Sequence, residues 1–139
     1  MGRKVFIDTS AWISYSLSRQ PKHSTIKSLI KQLIKDNLTI YTSNDVVDET
    51  ATRLIYDTDI KIANKFINLI KDGSRTNNLV QLWVDEQIQS EAFEIIERFA
   101  EHKLSLTDAT TIALVKKFNI ESVISLDSDF IKVGITTLP

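Results

Sequence analysis

The sequence contains no cysteine among its 139 residues, and it has only three glycines and two prolines. Without thiols the chain can form neither disulfides nor thiolate metal sites. The scarcity of glycine and proline leaves few loops and no flexible linker, and the sequence contains no internal repeat. These features predict a single domain that spans residues 1–139.

Long apolar runs and an excess of one charge are also missing. No run approaches the roughly 18 residues of a membrane span, and the N-terminus leads directly into a strand pattern. We therefore expect a cytoplasmic protein that does not associate with a membrane. The net charge of −1, from 17 basic and 18 acidic residues, provides no bulk attraction for a phosphate backbone. A nucleic-acid substrate would need a local basic surface or bound cations.

Short apolar runs alternate with segments of helical periodicity, which predicts an α/β fold with a central parallel sheet covered by helices. Trp83 lies in a predicted strand and is expected in the core. The predicted strands are Val5–Ile7, Leu38–Tyr41, Leu79–Val84, Ser122–Ser125 and a weak one at Ile135–Leu138. The predicted helices begin near Ala11, Thr25, Asp45, Asp85 and Ser105 or Thr107, with an interruption of the third near Asp57–Asp59.

Four acidic residues occupy comparable places in this pattern. Asp8 and Asp127 directly follow strands, Asp108 opens a helix, and Glu49 lies one to two turns into another. In parallel sheets, functional groups collect beyond the carboxyl ends of the strands. Clustered carboxylates repel one another unless a cation neutralises them, and such hard oxygen ligands favour Mg²⁺ or Mn²⁺ over zinc. Taken singly, each acid is equally typical of a residue that caps a helix or that interacts with the dipole at a helix N-terminus.

The segments around these acids resemble the ordered motifs of the PIN-domain family, in particular the VapC-like toxin ribonucleases of type II toxin–antitoxin systems. They are Val5–Ile13, with the apolar strand that ends in Asp-Thr-Ser; Ser43–Glu49; Leu104–Ala109; and Ser125–Phe130, followed by Gly134. The resemblance covers nearly the whole chain. It implies a PIN-like three-layer sandwich, with a parallel sheet of about four or five strands and the first strand near the middle.

The same resemblance implies a divalent-metal-dependent endoribonuclease that hydrolyses RNA phosphodiester bonds. It assigns Mg²⁺ or Mn²⁺ to Asp8, Asp108 and Asp127, with Glu49 as a further ligand or a base that positions water. It also implies a homodimer and a small antitoxin partner that inserts a segment near the acidic crevice.

Secondary site candidates follow from the same motifs. Thr9 and Ser10 are candidates to hydrogen-bond a water molecule or a phosphate oxygen. Asp129 is a candidate ligand, although a cap or turn role suits it equally well. Asp48 competes with Glu49, but neighbouring helical positions point about 100° apart, and the family spacing favours Glu49.

Several other functions remain as alternatives. A catalytically inactive PIN-fold module that binds nucleic acid or protein would use the same fold, and a stand-alone RNA-processing nuclease would use the same site. A phosphatase of the haloacid-dehalogenase type needs a second aspartate where this chain has Ser10. A DNA-directed nuclease of the flap type would need an inserted arch or a basic clamp that a chain of this length lacks.

Basic residues in the middle helices form a candidate RNA-binding edge, although solvated helix faces often have this composition. They are Arg53, Lys61, Lys65, Lys71 and Arg75.

Overall fold

A parallel sheet of five strands forms the centre of the computed structural model, which describes residues 3–139. The strands are β1 (Lys4–Ile7), β2 (Thr39–Ser43), β3 (Leu79–Leu82), β4 (Ser122–Ile124) and β5 (Thr137–Leu138). The helices are α1 (Thr9–Ser16), α2 (His23–Lys35), α3 (Asn44–Asp57), α4 (Ile60–Arg75), α5 (Glu86–Arg98), α6 (Leu106–Lys117) and α7 (Asp129–Lys132), with a 3₁₀ turn at Ala100–His102.

The strand order is β3-β2-β1-β4-β5, and every neighbouring pair is parallel. Strand β1 therefore lies in the middle. Its residues Val5, Phe6 and Ile7 are all fully buried. Because successive side chains of a strand point to opposite faces, this burial shows that helices cover both faces of the sheet. The predicted fold class is confirmed, with five strands and the first strand central.

The helix boundaries follow the capping residues. The Asp8 side chain caps α1, which begins at Thr9, two residues earlier than predicted. The predicted interruption in the middle helical segment is confirmed, since α3 ends at Asp57 and Asp59 caps α4. The longest helix, α4, has 16 residues, and no helix within residues 3–139 is both long and apolar enough to cross a membrane.

One core prediction is wrong. Trp83 is 66% exposed, because β3 ends at Leu82 and the tryptophan lies just beyond the paired part of the strand. The largely apolar sequence of Leu79–Val84 does not show where the pairing with β2 stops. That pairing runs only from Leu79 to Leu82.

Candidate active site

Two polar residues face each other where the central strands β1 and β4 end. The register pairs Ile7 with Ile124. Asp8 and Ser125, the residues that directly follow the two strands, therefore lie side by side. The Asp8 amide extends the ladder by donating to the Ile124 carbonyl at 3.2 Å. The parallel pairing thus brings together two residues that are 117 positions apart in the sequence.

Asp8 is 5% exposed, and both of its carboxylate oxygens accept hydrogen bonds. The Ser125 hydroxyl donates to Oδ2 at 2.7 Å, and the Ser10 hydroxyl donates to Oδ1 at 2.8 Å. The Ala11 amide also donates to Oδ1, at 3.1 Å, which is the cap of α1. These three donors hold the carboxylate in one orientation.

Burial raises the pKa of Asp8 from 3.8 to about 6. The hydrogen bonds from Ser125, Ser10 and the Ala11 amide favour the ionised form and oppose this shift, whereas the charge of Asp108 adds to it. Desolvation is the largest effect. A positive ion beside Asp8 would remove much of this cost.

A second group of carboxylates lies next to Asp8. Asp108, Asp127 and Asp129 each present an oxygen, and these three oxygens lie within 4.8 Å of one another. Asp108 is on the first turn of α6, whereas Asp127 and Asp129 follow β4. The Asp127 amide donates to the Ser125 hydroxyl at 2.9 Å, so the hydroxyl that holds Asp8 also fixes the start of this loop.

The pKa of Asp108 indicates that the predicted acids lie near one another. Its pKa is raised first by burial, then by the charge of Asp127 and, less strongly, by that of Glu49. Hydrogen bonds with Ser105 lower the pKa, because the two residues form a capping box at the start of α6. The charge of Asp108 also raises the pKa of Asp8, so all four predicted acids lie in one region of the molecule.

Glu49 is brought to this region by a contact between α3 and α6. The Thr110 hydroxyl lies 3.1 Å from Oδ2 of Asp45, which precedes Glu49 by about one turn of α3. Asp48, the rival of Glu49, is exposed, whereas Glu49 is half-buried. The structure thus favours Glu49, as the family spacing did.

The secondary candidates differ in their surroundings. Asp129 joins the carboxylate group, although the Lys132 ammonium donates to its Oδ1 at 3.4 Å. The Ser10 hydroxyl is engaged with Asp8 and accepts from the Leu126 amide at 2.9 Å. The Thr9 hydroxyl is buried and has no hydrogen-bond partner within residues 3–139.

The donor set fits Mg²⁺ or Mn²⁺. Every charged ligand candidate in the group is a carboxylate, and three of these oxygens are near enough to share one ion. Burial is the main cause of the raised pKa values of Asp8 and Asp108, and the charges of neighbouring carboxylates add to both. A divalent cation at the group would offset both effects.

Sequence reasoning missed two residues that organise the site, Ser125 and Thr110. Ser125 holds Asp8, and Thr110 ties α6 to α3. Ser125 has one detectable signal, namely a small polar residue that ends a buried strand. Recognising its role requires the β1–β4 register, which the sequence does not contain.

Comparison with known proteins agrees with the observed fold. Residues 5–135 match the family model described as PIN domain. The chain is 28% identical over 131 residues to the 23S rRNA-specific endonuclease VapC20 of Mycobacterium tuberculosis, with 94% of each chain covered. The crystal structure of that protein, described as a sarcin–ricin loop cleaving toxin, superposes with a TM-score of 0.80 at 25% identity and covers 95% of this chain and 96% of its own.

Two more distant structures share the fold. VapBC2 from Rickettsia felis, bound to a DNA fragment from its promoter, matches with a TM-score of 0.64 at 12% identity, with 97% of both chains covered. FitAcB from Neisseria gonorrhoeae matches with a TM-score of 0.66 at 17% identity, covering 97% of this chain and 96% of that one.

Proposed function

The chain belongs to the PIN-domain family, and on that premise we propose that it is a divalent-metal-dependent endoribonuclease, the toxin of a VapBC-type toxin–antitoxin pair. One observation carries the proposal: carboxylates from β1, α3, α6 and the loop after β4 converge on one region at the carboxyl ends of the strands. The 23S rRNA-specific relative, similar along 94% of the chain, supports RNA as the substrate.

In this proposal Asp8, Asp108 and Asp127 hold Mg²⁺ or Mn²⁺, and Glu49 is a fourth ligand or positions the attacking water. The ion, when bound, activates water and offsets the negative charge that develops at the phosphodiester. Ser10 and Ser125 orient Asp8, and Asp129 lies near enough to share in binding. Thr9, whose hydroxyl is unpartnered within residues 3–139, is a secondary candidate for contact with water or phosphate.

The test is cleavage of a labelled ribosomal RNA stem–loop by the purified chain. We expect cleavage with Mg²⁺ or Mn²⁺, loss of cleavage with EDTA, and recovery when the metal is restored. Single-stranded DNA of the same sequence serves as the substrate control. Asp108→Asn should bind Mn²⁺ at least about tenfold more weakly in isothermal titration, because it removes a charged ligand.

The matched control is Asp57→Asn, which removes an exposed carboxylate at the end of α3. It should leave Mn²⁺ affinity unchanged. Cleavage that persists in EDTA would exclude the metal mechanism. If the wild-type chain neither binds Mn²⁺ nor cleaves RNA, the inactive binding module replaces the nuclease.

The proposal extends to partners and domain organisation. We propose one PIN domain over residues 1–139, a homodimer, and a small antitoxin that inserts a segment near the acidic crevice. Large apolar side chains that another chain would cover on binding are exposed, among them Trp83 at 66% and Phe93 at 52%. Light scattering should give twice the monomer mass of 15.8 kDa. A monomer at micromolar concentration would exclude the dimer.

The antitoxin is tested by adding the small protein encoded beside this chain to the cleavage assay. If that protein does not inhibit the nuclease, the stand-alone RNA-processing enzyme is favoured.

A further inference from the structure

A shallow cleft runs along α3 and includes Glu49 of the candidate site. It has a volume of about 400 Å³ and is formed by one face of α3 and the start of α6. The α3 residues recur at the i, i+3, i+4, i+7 and i+8 spacing of a single helix face. The residues that line the cleft are Asp45, Asp48, Glu49, Thr52, Arg53 and Thr107.

Arg53 is the basic residue among these six, and it lies one turn beyond Glu49 on the same face. Acidic residues stand four positions before it, at Glu49, and four positions after it, at Asp57. Nevertheless, within residues 3–139 its guanidinium forms no ion pair and no side-chain hydrogen bond. The side chain is exposed, so its charge remains free to bind an anion from solution.

Two other basic residues of the predicted edge have different neighbours. Lys65 lines two cavities that it shares with Tyr15 and Leu69. Arg75 is paired with Asp72 on its own helix. Of the predicted edge, Arg53 is the member that lines this cleft together with a candidate catalytic carboxylate.

We propose that Arg53 binds a backbone phosphate of the RNA, on a nucleotide that flanks the cleaved bond. This inference rests on the proposed nuclease function and adds a substrate-binding residue to it. A chain with a net charge of −1 needs local cations to hold a polyanion beside a cluster of carboxylates. The planar guanidinium suits a phosphate because it donates two parallel hydrogen bonds to two oxygens.

RNA binding by chains that cannot cleave provides the test. Fluorescence anisotropy would compare Asp8→Asn with Asp8→Asn/Arg53→Ala on the same labelled stem–loop over a range of salt concentrations. We expect about tenfold weaker binding in the double variant and a salt slope reduced by about 0.7 to 0.9, as for one lost phosphate contact. Arg98→Ala, which removes an exposed arginine at the end of α5, is the matched control and should change neither quantity.

A second measurement separates phosphate binding from simple neutralisation of the carboxylates. In an otherwise wild-type chain, Arg53→Ala should raise KM about tenfold and change kcat less than threefold, with Mn²⁺ affinity unchanged, and Arg53→Lys should recover part of the loss. Unchanged RNA binding in Arg53→Ala, or a change confined to Mn²⁺ affinity, would overturn this proposal alone. Absence of RNA binding by every variant would overturn the proposed function as well.

Discussion

Replacement of Asp8 by asparagine is expected to lower the rate of RNA cleavage about a thousandfold or more, while the fold is retained. Asp8 is the most buried of the candidate ligands, and three hydrogen bonds hold its carboxylate in place. Asparagine keeps the shape but removes the negative charge. A thousandfold loss corresponds to about 4 kcal/mol of transition-state stabilisation, in the range for loss of a preorganised electrostatic contact.

The measurement is the single-turnover rate at saturating Mn²⁺, with Asp57→Asn as the control. The asparagine side chain can still accept the hydrogen bonds at Oδ1 from Ser10 and Ala11, and its amide can donate to the Ser125 hydroxyl. Circular dichroism should therefore show an unchanged fold. A variant that folds and keeps more than about a tenth of the wild-type rate would remove Asp8 from the catalytic residues.

The second large effect concerns stability in the absence of metal. Burial raises the pKa of Asp8 to about 6, from an ordinary value of 3.8. Between these pH values the folded chain holds a proton that the unfolded chain has released, so the free energy of unfolding falls as pH rises through this window. A shift of about two pH units corresponds to about 3 kcal/mol. The loss begins near pH 4, where the carboxyl of the unfolded chain ionises, and it is complete about one pH unit above 6, where the carboxyl of the folded chain has also released its proton.

Urea denaturation in EDTA at pH 4, 5, 6 and 7 measures this effect as the difference between Asp8→Asn and wild type. We expect the advantage of the variant to grow by about 2 kcal/mol from pH 4 to pH 7, because asparagine cannot ionise. Saturating Mn²⁺ at pH 7 should stabilise the wild type more than the variant. A difference that stays flat with pH would show that Asp8 ionises in the fold at no cost.

Ser125→Ala is the matched variant for the same experiment. It removes the 2.7 Å hydrogen bond that favours the ionised form of Asp8, so the pKa of Asp8 should rise further. The fall in stability should then extend to higher pH than in the wild type. A fall confined to the wild-type window would mean that Ser125 does not stabilise the charge.

Much of the fold was predictable because its determinants are local. The wholly apolar run Val5–Ile7 is typical of a strand buried on both faces, and it occupies the centre of the sheet. Ser105 and Asp108 form the capping box that their spacing suggests. Asp8, Glu49, Asp108 and Asp127 were identifiable because a PIN motif surrounds each of them, and the structure couples their charges.

The remaining features depend on the register of strands and the packing of helices, which are set by contacts between distant segments. The Ser125 hydrogen bond to Asp8 exists because Ile7 pairs with Ile124. A shift of the β1–β4 register by one residue would turn the Ser125 side chain to the other face of the sheet. The α3–α6 packing decides that Thr110 meets Asp45 and that Arg53 lines the cleft beside Glu49. The sequence by itself thus determined the element types, the family and the acidic residues, because local patterning and motifs record them. Only the tertiary structure decided the hydrogen bonds, the raised pKa values and the cleft, because they arise from burial and from residues that meet across the chain.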